Sequence, residues 1–248
     1  MRNKLPLKQR LIEQSFFRPR WYSIFLNPYF IDRYNLYKNI RNFSAKYTSK
    51  NDRILDVGCG NEPYRNIFPS KEYVGIDIAG GGHSDQEKKV EKFFDGLNIP
   101  FTDNSFEVVI CTQVLEHSTD HNQLTKEISR TLKPGGKLFL TVPFVCNEHE
   151  TPYDFRRLTR FELQRLCREN DLKILELHAT TGIFGVIGQL LSGFLFESLH
   201  FRNSPIKLLL SVFVLGPLQG FFIILDIMTG RRFITLDYVT IAEKNAKK

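Results

Sequence analysis

The stretch Ile54-Leu55-Asp56-Val57-Gly58-Cys59-Gly60 constrains the fold more than any other part of the chain. Apolar residues on both sides of Asp56 read as a buried parallel strand, and Gly58 and Gly60 mark a tight turn from that strand into a helix. A ligand can lie against the bare backbone of such a turn, because neither glycine carries a Cβ. The helix expected next points its free N–H groups into the same space, and Asp56 is expected to face it with a carboxylate. Seventeen residues after Gly60, Asp77 ends a second short apolar strand, Tyr73-Val74-Gly75-Ile76-Asp77. In a βαβ unit an acid at that strand tip stands where two ribose hydroxyls are held.

A dinucleotide-binding turn needs a third glycine, and Pro63 occupies its place. An acid ahead of the glycines also suits a ligand carrying an ammonium and a sulfonium better than one carrying a pyrophosphate. The two strands resemble motifs I and II of the class I S-adenosylmethionine-dependent methyltransferases, over about residues 50–180 and 232–244. The resemblance implies an α/β, Rossmann-like fold: a seven-stranded, mostly parallel sheet with flanking helices and an antiparallel last strand. It also implies S-adenosylmethionine over the Gly58–Gly60 turn beside Asp56, with Asp77 on the ribose. Asp95, in a segment similar to the family's D-x-x-x-L-P-F, is implied at the adenine, although Asp95-Gly96 reads equally well as a simple turn. Gln113 opens Gln113-Val114-Leu115-Glu116-His117, which resembles the segment lining the methionine end; a histidine at His117 more often braces that loop than reacts.

Ser105–Cys111 reads as the fourth strand, with Glu107 where the family usually has Asp, and Lys137–Val142 as the fifth after a Leu132–Gly136 turn. Asp120 with Gln123 and Thr159 with Glu162 have the spacing of helix N-caps. Between the fifth strand and the second of these caps runs a loop too polar for a core and rich in His, Glu, Asp and Arg. Its His149-to-Thr159 part resembles the H-E-x-P-Y-D-F-x-R-x-T loop of methyltransferases associated with bacterial surface-glycan synthesis, which implies a small-molecule or lipid-linked sugar hydroxyl as acceptor. His149 is then the candidate base. Glu150 or Asp154 would orient it, and Arg156 would hold an acidic or phosphorylated group. A loop that only positions the following helix is the plainer reading of the same residues.

Four separated cysteines, Cys59, Cys111, Cys146 and Cys167, offer neither a C-x-x-C pair nor a Cys/His metal spacing, so no metal site is expected and a reducing cytoplasm is. No secretory signal is evident at the N-terminus. Of the net charge of +7, residues 1–50 carry a surplus of +9 from eleven Lys/Arg against two acids. This basic arm, 1–50, holds many aromatics, and Asn27-Pro28 opens a helix expected over about 28–47. A methyltransferase core follows over 51–181, then an apolar helical insertion over 182–230, and 231–248 carries the last strand (expected from Phe233 to Ala242) and the tail. Gly182–Phe196 and Leu208–Leu225 carry no charge. They suit a lid, a homodimer face or a peripheral contact with the inner membrane face, where Lys207, Arg231 and Arg232 would meet headgroups. An isoprenoid or quinone-like lipid is the second acceptor class, and RNA, supported only by the basic arm, the last. A non-catalytic membrane- or protein-binding subunit of the same fold is the rival from outside the enzymes.

Overall fold

The computed structural model of the protein describes residues 15–80, 85–86, 88–198 and 209–246. His83, Lys207 and the first fourteen residues of the basic arm lie outside them. The chain folds as two compact units, one of Ile40–His178 with Asp237–Lys248 and one of Met1–Asn39 with Ala179–Leu236.

The first unit is built on a seven-stranded sheet of order β3-β2-β1-β4-β5-β7-β6. Its strands are β1 (Arg53–Val57), β2 (Glu72–Ile78), β3 (Lys92–Phe94), β4 (Phe106–Thr112), β5 (Leu132–Pro143), β6 (Leu172–Ala179) and β7 (Asp237–Lys244). Central strands read as unbroken apolar runs because both faces of a parallel sheet are covered: Ile54, Leu55, Val57, Val108, Val109 and Ile110 are all buried. β1 pairs in parallel with β2 and β4, and β7 alone is antiparallel to β5, with Leu138 opposite Ala242. Glu107, where Asp was expected, joins two parts of the sheet. It accepts from the Arg53 amide at 2.8 Å and pairs with Lys133.

Three expectations change. The glycine turn is not followed by an α-helix: only a three-residue 3-10 turn, Arg65–Ile67, lies between β1 and β2. Glu62 sits at φ +55°, off any helical path, and Pro63 lacks an N–H to continue one. Leu132–Gly136 is an outward bulge within β5, with Gly135 at φ +78°, because Leu132 pairs with Phe106 while the next partner of β4, Val108, pairs with Lys137. The last strand begins at Asp237 and not at Phe233, which is 73% exposed.

Helix α1 (Phe30–Tyr47) begins after Asn27, whose Oδ1 accepts from the Tyr29 amide at 2.9 Å. Its last turns belong to the sheet unit, where the Phe43 ring packs 5.0 Å from Phe139. Two further helices, α2 (His121–Thr131) and α3 (Arg160–Glu169), cover the sheet, each capped as the spacing predicted: Asp120 accepts from Asn122 and Gln123, and Thr159 from Glu162.

The arm and the insertion are not separate appendages, since together they make the second unit. Its helices are α4 (Ile183–Ser198) and α5 (Gly216–Thr229), the latter entered through a π-turn at Ser211–Leu215. A Cβ on Gly188 would lie 2.5 Å from Phe222 Cβ, so the two helices meet where the side chain is missing. Asp226 of α5 accepts from the amides of Gly182 and Gly185 and caps α4. The glutamines in these apolar helices bind the arm. Gln189 donates to the Pro28 carbonyl at 3.1 Å and accepts from the Asp32 amide at 3.0 Å, while Gln219 donates to the carbonyls of Ile24 and Asn27.

Candidate active site

At the carboxyl ends of β1 and β2 the glycine turn is tied down from below. The amides of Gly58 and Cys59 donate to the Ile76 carbonyl at 2.8 and 3.1 Å. Gly58, at φ +71°, has no room for a side chain, since a Cβ would meet Val114 at 2.4 Å. Gly60, at φ +50°, faces open space, with nothing within 4 Å of the same position. Asp77 stands beside it and accepts from the Gly60 amide at 2.8 Å through Oδ2 and from the Ile78 amide through Oδ1. Lys88, not singled out in the sequence, lies with its Nζ 3.7 Å from Asp77 and is almost fully buried. It donates to the carbonyls of Ile78 and Gly80, which holds the connection after β2 against the strand tip.

Asp56 does not face this space. It is buried and accepts from the Tyr73 hydroxyl at 2.6 Å. Burial pushes its carboxyl up to about 7, against the lowering effect of that hydrogen bond. It therefore braces β1 against β2 under the turn. Asp95 lies after β3 in a turn of its own making: it accepts from the amides of Leu97 and Asn98 and from the Asn98 side chain, and these hold its pKa below the usual range. Gln113 follows β4 in the left-handed region, at φ +57°, a conformation few non-glycine residues adopt. Its side-chain amide donates to Thr141 and Asp237, 3.2 Å from each.

Beyond Gln113 the segment after β4 meets the loop after β5. The rings of His117 and His149 stand edge to face, 4.8 Å apart. His149 Nδ1 is hydrogen-bonded to the Asn147 carbonyl at 3.2 Å and lies 3.3 Å from Asp154 Oδ2, which itself accepts from the His149 amide at 3.1 Å. That arrangement puts the ring proton on Nδ1 and leaves Nε2 as a bare acceptor. His117 Nδ1 likewise faces the Tyr153 carbonyl at 3.0 Å. Asp154 is gripped by both arms of Arg157, at 2.5 and 2.7 Å, and this pairing lowers its pKa to about 2. So Asp154 orients His149 and is too weak a base to replace it. Arg156 is turned elsewhere: it donates to the carbonyls of Ser118 and Thr119, tying the loop to the β4 side. In this geometry its guanidinium is occupied, and it does not stand ready for an acidic group of a substrate.

The residue that the sequence reading passed over is Glu116. Its carboxylate is buried, and neither oxygen has a hydrogen-bond partner at another residue. Burial, the largest effect, pushes it up to about 8, with Asp154 and Glu150 raising it further and Arg157 opposing. Oε1 lies 3.8 Å from His117 Nε2 and 3.9 Å from His149 Nε2. The signal was present in the sequence: an acid followed by a histidine, set in apolar residues straight after a strand. Arg157 had one too, three residues beyond Asp154.

Residues 55–140 match the family described as a methyltransferase domain. That match spans the glycine turn, Asp77 and the segment through His117. The core of the chain is a class I S-adenosylmethionine-dependent methyltransferase domain. Among curated relatives, the 27-O-demethylrifamycin SV methyltransferase of Amycolatopsis mediterranei is 32% identical over 114 residues, covering 37% of this chain and 40% of that one. The demethylmenaquinone methyltransferase of a Geobacillus species is 33% identical over 128 residues, covering 45% and 52%. The chain thus spans about half the length of these relatives, or less. The phosphoethanolamine N-methyltransferase 2 of Haemonchus contortus, solved in complex with S-adenosyl-L-methionine, has the same fold. Its TM-score is 0.55 at 17% identity, over 94% of this chain and 59% of that one.

The residues of this methyltransferase domain fit the cofactor. The open side of Gly60 leaves backbone bare, and Asp77 presents a charged acceptor next to it, where a ribose needs one. Gln113 and the Glu116–His117 segment follow β4, the strand paired with β1.

Proposed function

We propose that the protein transfers a methyl group from S-adenosylmethionine to a hydroxyl of a sugar or glycan-related acceptor. The observation that carries this reading is the held His149: its amide donates to Asp154, which Arg157 grips, and its Nδ1 is hydrogen-bonded to the Asn147 carbonyl, which leaves Nε2 free to take a proton. Such a base serves a hydroxyl, whose proton must leave as its oxygen forms the new bond. S-adenosylmethionine, when bound, supplies a methyl already activated on a positively charged sulfur. The chain therefore has to do little more than hold the acceptor oxygen in line and receive its proton. The sugar class rests on the resemblance of the His149–Thr159 loop. Incubation with labelled S-adenosylmethionine and a panel of nucleotide sugars, lipid-linked sugars and prenylated quinols is expected to give an alkali-stable methyl ether on a sugar. Label on a quinol alone replaces the sugar by a lipid acceptor. Label on an amine removes hydroxyl chemistry altogether.

A lipid-linked or lipid acceptor draws support from the second unit. Phe213, Phe221, Ile224, Ile227 and Met228 are between 56% and 76% exposed, and Ser211–Thr229 is long and apolar enough to cross a membrane. We infer that this face lies peripherally on an anionic membrane surface on the cytoplasmic side, with the basic arm adding attraction of about 1 kcal/mol per cation near the lipid. Arg232, expected at the headgroups, instead donates to the carbonyls of Ala179 and Thr180, so the basic contribution falls to the arm and Arg231. Sedimentation with vesicles containing anionic lipid, and partial release by salt, is the expected result. A compact dimer left in the supernatant would make the same face a subunit interface.

A further inference from the structure

Three groups able to ligate a cation converge on one point after β4. Both imidazoles direct their Nδ1 to a backbone carbonyl, His117 to that of Tyr153 and His149 to that of Asn147. Their bare Nε2 atoms and the Glu116 carboxylate then face one another, all within 4.8 Å. A buried carboxyl whose two oxygens meet no hydrogen-bond partner among the described residues, facing two ring nitrogens, is a costly arrangement that a bound cation would relieve. A hydrogen bond does not resolve this, since 3.8 and 3.9 Å exceed hydrogen-bonding distance.

We propose that Glu116, His117 and His149 bind a divalent first-row cation in the Mn2+ to Zn2+ range. Two imidazoles with one carboxylate are a borderline nitrogen and oxygen set, suited to these ions and not to Ca2+. Bonds of about 2.1 Å hold tetrahedral ligand atoms about 3.4 Å apart. Closure therefore needs a few tenths of an ångström at the Glu–His pairs and about 1.4 Å at most between the two imidazoles, a ring rotation. The surroundings match what cation-binding histidines need, because each ring is oriented through its other nitrogen by a backbone carbonyl. Arg157 completes the set by fixing Asp154. His149 is partly exposed, which leaves a side of the site open to an acceptor.

The effect on the acceptor rests on the hydroxyl-methylation reading; the site itself does not. A hydroxyl that reaches such a cation loses its proton to water more readily. The new C–O bond then forms as the C–S bond breaks, its electron pair going to sulfur, and the products are a methyl ether, a thioether and one proton. With the cation in place His149 Nε2 is a ligand, and water receives the proton.

The test uses the full chain, stripped with a chelator and titrated at neutral pH with Co2+ by optical absorption and with Zn2+ by calorimetry. One equivalent is expected, with d–d bands that show nitrogen and oxygen ligands and no thiolate charge transfer. Glu116→Gln and His117→Asn each abolish the site. Asp154→Asn weakens it about 10- to 100-fold, as loss of an orienting partner does. Cys146→Ser, altering the thiol 3.9 Å from His149 Nδ1, leaves the affinity unchanged. No saturable binding, binding undiminished in Glu116→Gln, or binding lost in Cys146→Ser overturns the proposal. Full methyl transfer in chelated, cation-free protein overturns the cation's effect on the acceptor and spares the proposed reaction, whereas tight binding without transfer to any hydroxyl supports the site and overturns that reaction.

Discussion

The two units use polar and apolar groups in opposite ways. The sheet unit buries its apolar side chains and leaves Glu116 and Ser118, in the segment after β4, with buried side-chain oxygens that have no hydrogen-bond partner among the described residues. The helical unit turns Phe213, Ile227 and Met228 outward and spends its polar side chains inside, with Gln189 and Gln219 on the arm and Asp226 on the start of α4. A buried polar group is costly unless paired. Glu116 in the first unit is left bearing that cost, and Asp226 in the second avoids it. Arg33 Nε, Ser192 Oγ and Gln219 Oε1 of the helical unit are also buried without a hydrogen-bond partner among the described residues, but none of them is an acid beside two imidazoles. That grouping marks a site, and the exposed apolar face of the helical unit marks a surface to be covered.

The largest effect expected from breaking the contrast is at His149. His149→Ala should lower turnover roughly 10²- to 10⁴-fold while cofactor affinity, measured by calorimetry with S-adenosylhomocysteine, stays unchanged. Wild-type turnover in that variant would remove His149 from the reaction. Asp77→Ala should instead weaken cofactor binding by about 1.5–3 kcal/mol per lost charged hydrogen bond, with folding intact. Equal affinity in the two proteins would take Asp77 off the ribose.

In the helical unit the sensitive position is apolar. Gly188→Val places a side chain against Phe222 and should cost about 1–3 kcal/mol, read as a lower midpoint in thermal or denaturant unfolding. An unchanged midpoint would mean that the two helices are free to separate there.

Asp56 sharpens the comparison through pH. Its folded carboxyl is raised to about 7, so between its unfolded value near 4 and about 7 the folded state holds a proton that the unfolded state has lost. The stability it contributes is thus complete below pH ~4 and falls as pH rises to about 7, by at most about 1.4 kcal/mol per pH unit. Asp56→Asn should flatten that part of a stability-against-pH curve measured by urea unfolding. If the slope persists, it comes from another group. The smallest effect is expected at the surface. Ile227→Ser should reduce vesicle sedimentation by an amount set by one buried side chain, about 1.5–3 kcal/mol if the residue inserts fully and less at an interface, without changing stability in solution.

The sheet was legible because its signals are local. Apolar runs ending in Asp56, Asp77 and Cys111, glycines at Gly58 and Gly60, and caps at Asp120 and Thr159 each depend on a few adjacent residues, and these set strand, turn and helix starts. The same locality misled at two places. Glycines before a strand-to-strand crossover suggested a helix that Glu62 and Pro63 do not permit, and the β-prone run from Phe233 suggested a strand that starts only at Asp237. His149 and Asp154 were legible as neighbours in one loop. Their meeting with Glu116 and His117 was not, for more than thirty residues separate the two segments and only the β4–β5 pairing brings them together.

Residue type and short spacing dictate backbone path, and they were enough for the domain type, its glycine turn and the residues gathered in one loop. Tertiary structure decided the rest. It buried Asp56 under Tyr73, spent Arg156 on carbonyls, joined the arm to the insertion through two glutamines, and left Glu116 without a partner between two histidines. Those outcomes depend on burial and on which distant atoms come within hydrogen-bonding reach, and both arise only once the sheet has assembled.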